Sequence, residues 1–466
     1  MRGGGQRRLA VVGDALLDRD VTGRSERLSP EAPVPVVDVE GERVRPGGAG
    51  LAAALAAADG RPVVLVTALG DDAAGARVRA LLATWGVELV DLGTSRPTPE
   101  KTRVLADGHL LVRLDRGPPG GEIGAWTPRA DDAVRGASAV LVADYGRGVA
   151  AIPRLRQALC ALSATVPTVW DPHPRGPDPV AGARLVTPNR REAAVAAAEV
   201  AGSGLAADAA RARVLARRWR AAAVAVTRGG AGAVLWDGDA PPLAVPAPPA
   251  TGDPCGAGDR FAASAAGSLA DGALPSEAVT RAVQDASLFI AAGGAAGVGR
   301  GGNGAAPATV SRTRAPEAEV FTLVERVRAG GGTVVAAGGC FDLLHAGHVR
   351  LLQAARALGD CLVVCLNSDR SVRRLKGEHR PVVAEHDRAA VLLGLGCVDA
   401  VAVFDEDTPV PLLERLRPHL FVKGADYGSR ELPEAEVLAR WGGQAVVVPY
   451  LEGRSTTTLL AAFTGD

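Results

Sequence analysis

TVVAAGGCFDLLHAGHVRLLQAARALGD, residues 333–360, passes from an apolar β-like run through a glycine turn into a helix-like stretch. A helix that starts directly after such a turn aims its free N–H groups and the positive end of its dipole at the turn, which makes an anion site. His345 and His348 lie at i and i+3 on the first turn of that helix, so both can face one ligand. Metal ligation by this pair is disfavoured, because Asp342 is the one nearby carboxylate and there is no HExxH pattern. A purely structural pair is the bland alternative. Phosphate handling is the reading the turn favours.

Outward from this stretch the same rhythm continues. CLVVCLNSD (361–369), DAVAVF (399–404), HLFVKG (419–424) and QAVVVPY (444–450) are further apolar runs between helical segments. Together they predict a small doubly wound α/β domain. Upstream, LAVVGD (9–14), PVVLVTALG (62–70), ASAVLVADYG (137–146), ARLVTPN (183–189) and AAVAVTRGG (222–230) alternate with Ala-rich helical stretches. Nearly continuous apolar strands of this kind predict a second parallel sheet, covered on both faces. Between the two lies a Gly-, Ala- and Pro-rich stretch, 293–316. The domains are therefore drawn as 1–315, a linker helix 316–330, and 331–466.

Composition narrows the class of function. Lys+Arg and Asp+Glu balance at 52 each, which argues against a dedicated nucleic-acid binder. Apolar residues make up 47% and aromatic residues only 3%, which suits helices packed closely on sheets through small side chains. The six cysteines contain no CxxC pair, as expected of reduced thiols. No apolar stretch approaches the length of a membrane span, and the N-terminus lacks a signal-peptide core, so the expected location is the cytoplasm.

The HxGH element after a Gly-x-Phe-Asp turn resembles the nucleotidyltransferase superfamily that includes glycerol-phosphate cytidylyltransferase and pantetheine-phosphate adenylyltransferase. NSDRSVRRLKGEHRPV (367–382), VKGADY (422–427) and GRSTTTLL (453–460) agree with it in order and spacing. The resemblance implies in-line attack of a phosphate monoester on the α-phosphorus of an NTP. Positioning and charge neutralisation then do most of the catalysis. It implies His345, His348 and Lys376 as catalytic residues. Gly339, Phe341, Asn367, Asp369, Ser455, Thr456 and Thr457 are implied as nucleotide contacts, with Mg²⁺ bridging the phosphates.

In the first domain the informative stretch is TGDPCGAGDRFAAS (251–264). Gly256, Ala257 and Gly258 can present N–H groups to a phosphate, and Asp259 can deprotonate a hydroxyl there. A glycine turn before a helix is by itself weak evidence. VVGDALLD (11–18), RPGGAGLAAALAA (45–57), DYGRG (144–148), TPNRRE (187–192) and VTRGGAG (226–232) join it in an order similar to that of the ribokinase-like sugar kinases. That resemblance implies Asp14, Gly47 and Gly48 as sugar contacts. It implies Asn189, Arg190, Arg191, Glu192, Thr227 and Gly229 as contacts of ATP and Mg²⁺.

The run SPEAPVPV (29–36), the pair LNSD and RLKGEHRPV, and the order of kinase then nucleotidyltransferase resemble the bifunctional enzymes of ADP-heptose synthesis. The implied activities are ATP-dependent phosphorylation of heptose 7-phosphate at C1 and adenylyl transfer from ATP to heptose 1-phosphate. Lys101 and Arg103 in EKTRVL (100–105) become 7-phosphate ligands, and a homodimer through the kinase domain is implied. Two departures stand out. Leu51 occupies the place where the family carries a sugar-contacting Asn, and Cys255 replaces a hydroxyl residue beside the anion turn. A nucleotidyltransferase with a degenerate kinase module, or an NDP-sugar synthase using another sugar or NTP, fits the same residues.

Overall fold

The computed structural model describes residues 7–117, 122–238, 241–297, 320–424 and 434–449. It divides into two compact units. One comprises 1–201, 211–227 and 250–303, and the other 202–210, 228–249 and 304–466.

The first unit is built on seven strands, in the order Val224–Thr227, Leu185–Val186, Thr168–Asp171, Ala139–Ala143, Leu9–Gly13, Val63–Thr67, Glu88–Asp91. All neighbours run parallel. Every residue of LAVVG, VVLVT and AVLVA is buried. Helices on both faces leave no solvated side, which is why these strands read as unbroken apolar runs. The helix Ala257–Ala270 packs on Ala139–Ala143 and carries Ala, Gly and Ser along its buried face. Small side chains let its backbone approach the strand closely, and the polar residue on its first turn, Asp259, is brought to the sheet's carboxyl end.

A second sheet of four strands, ordered Pro35–Gly48, Ala15–Leu28, Glu100–Ala106, His109–Arg116, belongs to the same unit. Ala15–Leu28 continues directly from the first parallel strand and pairs with Pro35–Gly48 over nearly its whole length. The outer strand His109–Arg116 is exposed throughout, and Leu110, Val112 and Leu114 remain 43–56% accessible.

The second unit carries five parallel strands in the order Ala400–Phe404, Cys361–Asn367, Val334–Gly339, Leu420–Gly424, Gln444–Val448. Its core gathers Val334, Val363, Ala400, Leu413 and Phe421, with Val320 and Val324 of the helix Val320–Ala329 packed on it. The hairpin Ala233–Trp236/Leu243–Val245 groups with this unit, Leu243 pairing with Val447. The α/β class expected for both halves is the class found. Residues 298–319, which hold the expected domain boundary, lie outside the described residues. No helix among the described residues is long and apolar enough to cross a membrane.

Gly13 ends the central strand where a Cβ would fall 1.9 Å from the Ala143 carbonyl oxygen. Gly13→Ala is expected to destabilise the first unit by about 1–3 kcal/mol through overpacking, read as a lower midpoint in urea unfolding. An unchanged midpoint would contradict this packing.

Candidate active sites

In the first unit the carboxyl ends of the parallel strands surround a cavity of about 220 Å³. Asp259 faces it from the first turn of its helix, behind Gly256, whose φ of 80° requires the left-handed region that glycine tolerates. Burial pushes the Asp259 carboxyl up to about 7, and the Asp18 charge adds to this, while the Tyr145 hydrogen bond and Lys101 pull it down. Tyr145 Oη donates to Asp259 Oδ1 at 2.7 Å. Gly258 lines the cavity with open space where a Cβ would stand. The Ala257 N–H, expected to face a phosphate, instead donates to the Pro254 carbonyl at 3.1 Å.

Asp14 is buried and accepts three backbone hydrogen bonds, from Tyr145 (3.1 Å), Arg147 (2.9 Å) and Val149 (3.1 Å). Desolvation raises its pKa and the three amides oppose the rise. Gly48 lies against it with φ 60°, and Gly47 runs so close to Asp18 that a Cβ would approach its Oδ2 to 2.6 Å. Lys101 Nζ sits 4.7 Å from the centre of the Tyr145 ring. The Arg103 guanidinium is paired with Asp18 (3.4 Å) and Asp20 (3.5 Å), in a network that Arg45 completes on Asp20.

Asn189 and Glu192 form a capping box on the helix Arg190–Ala196. Asn189 Oδ1 accepts from the N–H groups of Arg191 (2.9 Å) and Glu192 (3.0 Å), and Glu192 Oε2 accepts from the Asn189 N–H (2.8 Å). The pair therefore has a structural duty as well as a place at the cavity, where burial raises Glu192. Arg190 and Arg191 are exposed. Thr227 is bridged to Asn189, which joins the two nucleotide motifs, and Gly229 opens the 3-10 turn Gly229–Ala231 with φ 59°.

Leu51 is part of a small apolar cluster. It is 2% exposed and packs with Leu55, Ala295, Cys255 and Phe289 against the back of the anion turn, where a Cβ on Gly256 would meet its Cδ2 at 2.9 Å. Sequence reasoning passed over Asp144, Tyr145 and Asp171 as site residues. Asp144 and Asp171 end adjacent parallel strands, and a carboxylate at that position was the available signal. Burial drives Asp171 well above the carboxylate range and Asp144 up to about 7, with Glu192 adding to both.

In the second unit His345 is the N-cap of the helix Ala346–Ala357 rather than part of its first turn. Its Nδ1 accepts from the Gly347 N–H at 3.2 Å, which leaves Nε2 as the protonated nitrogen of the neutral ring. The His348 ring stacks on it at 3.9 Å between centroids, and the Phe341 ring lies tilted 5.2 Å from that of His348. Burial first, and the His345 charge second, push His348 down to about 4, so this ring is neutral at physiological pH. Phe341 holds φ 45°, and a Cβ on Gly339 would press on its ring at 3.0 Å. Lys376 ends the helix Asp369–Lys376 and lies close enough for its charge to lower the Cys340 thiol against a burial-driven rise.

Asn367 and Asp369 are engaged inside the domain. Asn367 Nδ2 donates to Ser371 Oγ at 3.0 Å, and Asp369 Oδ1 accepts from Arg388 at 2.7 Å. Arg388, missed from sequence, is 1% exposed. It also donates to the carbonyls of Cys340, Asn367 and Val383, tying the glycine turn to the next strand and loop. Asp342 ties the same turn to Arg380, Val382 and Val383. Ser455, Thr456 and Thr457 lie outside the described residues. Among the described residues no three His, Cys, Asp or Glu side chains converge as a metal site.

Comparison with known proteins matches residues 6–298 to the pfkB family carbohydrate kinases and residues 336–441 to the cytidylyltransferase-like family. The Bifunctional protein HldE of Streptomyces coelicolor is 59% identical, over 97% of this chain and 96% of its own. That of Azorhizobium caulinodans is 42% identical, over 97% of each. A solved structure of Arabidopsis thaliana ribokinase, complexed with ribose and ATP, covers 61% of this chain and 93% of its own, with a TM-score of 0.49 and 22% identity.

Arg388→Met is expected to cost about 3–5 kcal/mol of stability, because it strands Asp369 and three carbonyls without their partner. Chemical denaturation checks it; a loss under about 1 kcal/mol would contradict the network.

Proposed function

Because the chain belongs to the pfkB carbohydrate kinases and to the bifunctional HldE family, we propose the following roles for its residues in two successive reactions. The protein is a bifunctional enzyme of ADP-heptose synthesis, a sugar kinase joined to a nucleotidyltransferase. It phosphorylates heptose 7-phosphate at C1 with ATP, releasing ADP and the 1,7-bisphosphate; once a separate phosphatase has removed the 7-phosphate, it transfers adenylate from ATP to heptose 1-phosphate with release of pyrophosphate.

In the kinase, Asp259 is the base. Its carboxylate takes the proton of the C1 hydroxyl as the oxygen attacks the γ-phosphorus, and that proton stays on Asp259 until product leaves. Gly256, Gly258 and the helix start receive the transferring phosphoryl group through backbone N–H groups. Asp14 and the Gly47–Gly48 turn orient the sugar, and Lys101 supplies positive charge to the phosphorylated substrate. The observation that carries this reading is Asp259 itself, on a helix start behind a left-handed glycine, with its pKa raised to about 7. Such a base is matched to neutral pH.

Mg²⁺ suits the residues at the cavity. Asp144 Oδ2 is buried with no protein partner, and the Glu192 charge raises the proton affinity of both Asp144 and Asp171 beyond what burial does. One or two of these carboxylates together with ATP phosphates make an ordinary Mg²⁺ shell, and the ion neutralises phosphate charge. Asn189, Arg190, Arg191, Glu192, Thr227 and Gly229 line the route for ATP.

In the nucleotidyltransferase, His345 and the neutral ring of His348 donate hydrogen bonds to the α-phosphate as it becomes five-coordinate. Lys376 and Ser455–Thr457 hold the β- and γ-phosphates, and Gly339 and Phe341 shape the turn beside them. We assign the protein to the cytoplasm. A homodimer through the four-stranded sheet would cover Leu110, Val112 and Leu114.

Asp259→Asn is expected to lower kinase turnover about 10³-fold or more while adenylyl transfer stays within about two-fold. His348→Ala is expected to do the converse. In the native enzyme, kinase kcat/KM should climb as pH rises through 7, because only the ionised Asp259 accepts the proton. Loss of both activities from either substitution would contradict the assignment.

A further inference from the structure

Apart from Asp144, the DYGRG segment has no role in the reactions as described above, yet it touches both ends of the kinase chemistry. The backbone N–H groups of Tyr145, Arg147 and Val149, the residue after the segment, hold Asp14, and the Tyr145 phenol holds Asp259. The ring between those two contacts is itself confined. Lys101 Nζ stands 4.7 Å from its centre, and Gly48 approaches so closely that a Cβ there would lie 3.3 Å from Tyr145 Cδ2.

We propose that Tyr145 is a positioning residue of the kinase. Its phenol fixes the Asp259 carboxylate, and its main chain fixes Asp14, so the base and the sugar-orienting carboxylate keep one spacing. The inference rests on the reading of Asp259 as the base. A phenol carries a single proton, and here that proton is given to Asp259 Oδ1. Oδ2 is thereby left to receive the proton of the C1 hydroxyl, and rotation of the carboxylate is blocked.

The hydrogen bond also sets the basicity of the carboxylate. The charged and titratable groups facing Asp259 are Tyr145, Asp18, Lys101 and, across the cavity, Asp171. Burial and then Asp18 raise its pKa, whereas Tyr145 and Lys101 lower it, and the Asp259 charge in turn raises Asp171. Without the phenol the base would hold its proton to higher pH.

The test is the pH profile of Tyr145→Phe in the full-length enzyme. The acid limb of kinase kcat/KM is expected to move up by about one pH unit. At pH 6 kcat should fall about 10- to 100-fold, with a smaller loss at pH 9 and little change in the KM for ATP. A merely structural role would lower the plateau and leave the limb where it was. An acid limb and kcat matching the native enzyme would overturn the proposal. If the phenylalanine variant fails to fold, 3-fluorotyrosine in place of Tyr145 keeps the shape and donates more strongly. The limb should then move to lower pH, and a stationary limb would overturn the proposal. Asp259→Asn with near-native turnover would sink the base assignment instead, so the two failures are separable.

Discussion

Exclusion of water from the carboxyl ends of the parallel strands governs the chemistry of both halves. Desolvation always favours the uncharged form, so it pushes acids up and bases down. Asp259 rises to about 7 and His348 falls to about 4, with burial the largest cause in both. The consequences differ because the tasks differ. A carboxylate near 7 can take a proton from a sugar hydroxyl and later release it. A histidine near 4 remains a neutral ring, able to donate to a phosphate without gaining or losing charge. Asp14 shows how the penalty is offset where a carboxylate has to be held in place, through three amide donors from one segment.

Close backbone approach is the second requirement, and it explains the composition. Gly13 meets the Ala143 carbonyl, Gly48 meets Asp14 and Tyr145, and Gly339 meets the Phe341 ring at distances that leave no room for a side chain. The Ala-rich helix Ala257–Ala270 serves the same end by bringing Asp259 down onto the sheet. A chain with 3% aromatic residues and abundant Ala and Gly fills its core with thin elements set close together.

Much of this was legible in the sequence because the apolar runs and glycine turns are local signals. The strands at 9–13, 63–67, 139–143, 334–339 and 361–367 all fall where unbroken apolar runs predict buried parallel strands. Asp259 and the His345–His348 pair stand beside glycine turns at helix starts, as read. What was hidden depends on partners far apart in the chain. The ion pairs of Arg103 with Asp18 and Asp20 span 85 and 83 residues. The packing of Leu51 behind Gly256 likewise joins residues far apart in the chain. Tyr145 and Asp259 are 114 residues apart, and Arg388 reaches Cys340 across 48. No periodicity encodes such pairings.

The central claim is that one chain performs two successive transfers on a heptose phosphate. The most direct test supplies heptose 7-phosphate with ATP, and separately heptose 1-phosphate with each of the four NTPs, and identifies the products by mass spectrometry. The account predicts a heptose bisphosphate in the first mixture, and ADP-heptose with pyrophosphate from ATP in the second. Release of ADP without a sugar bisphosphate, or preferential use of CTP or GTP, would contradict it.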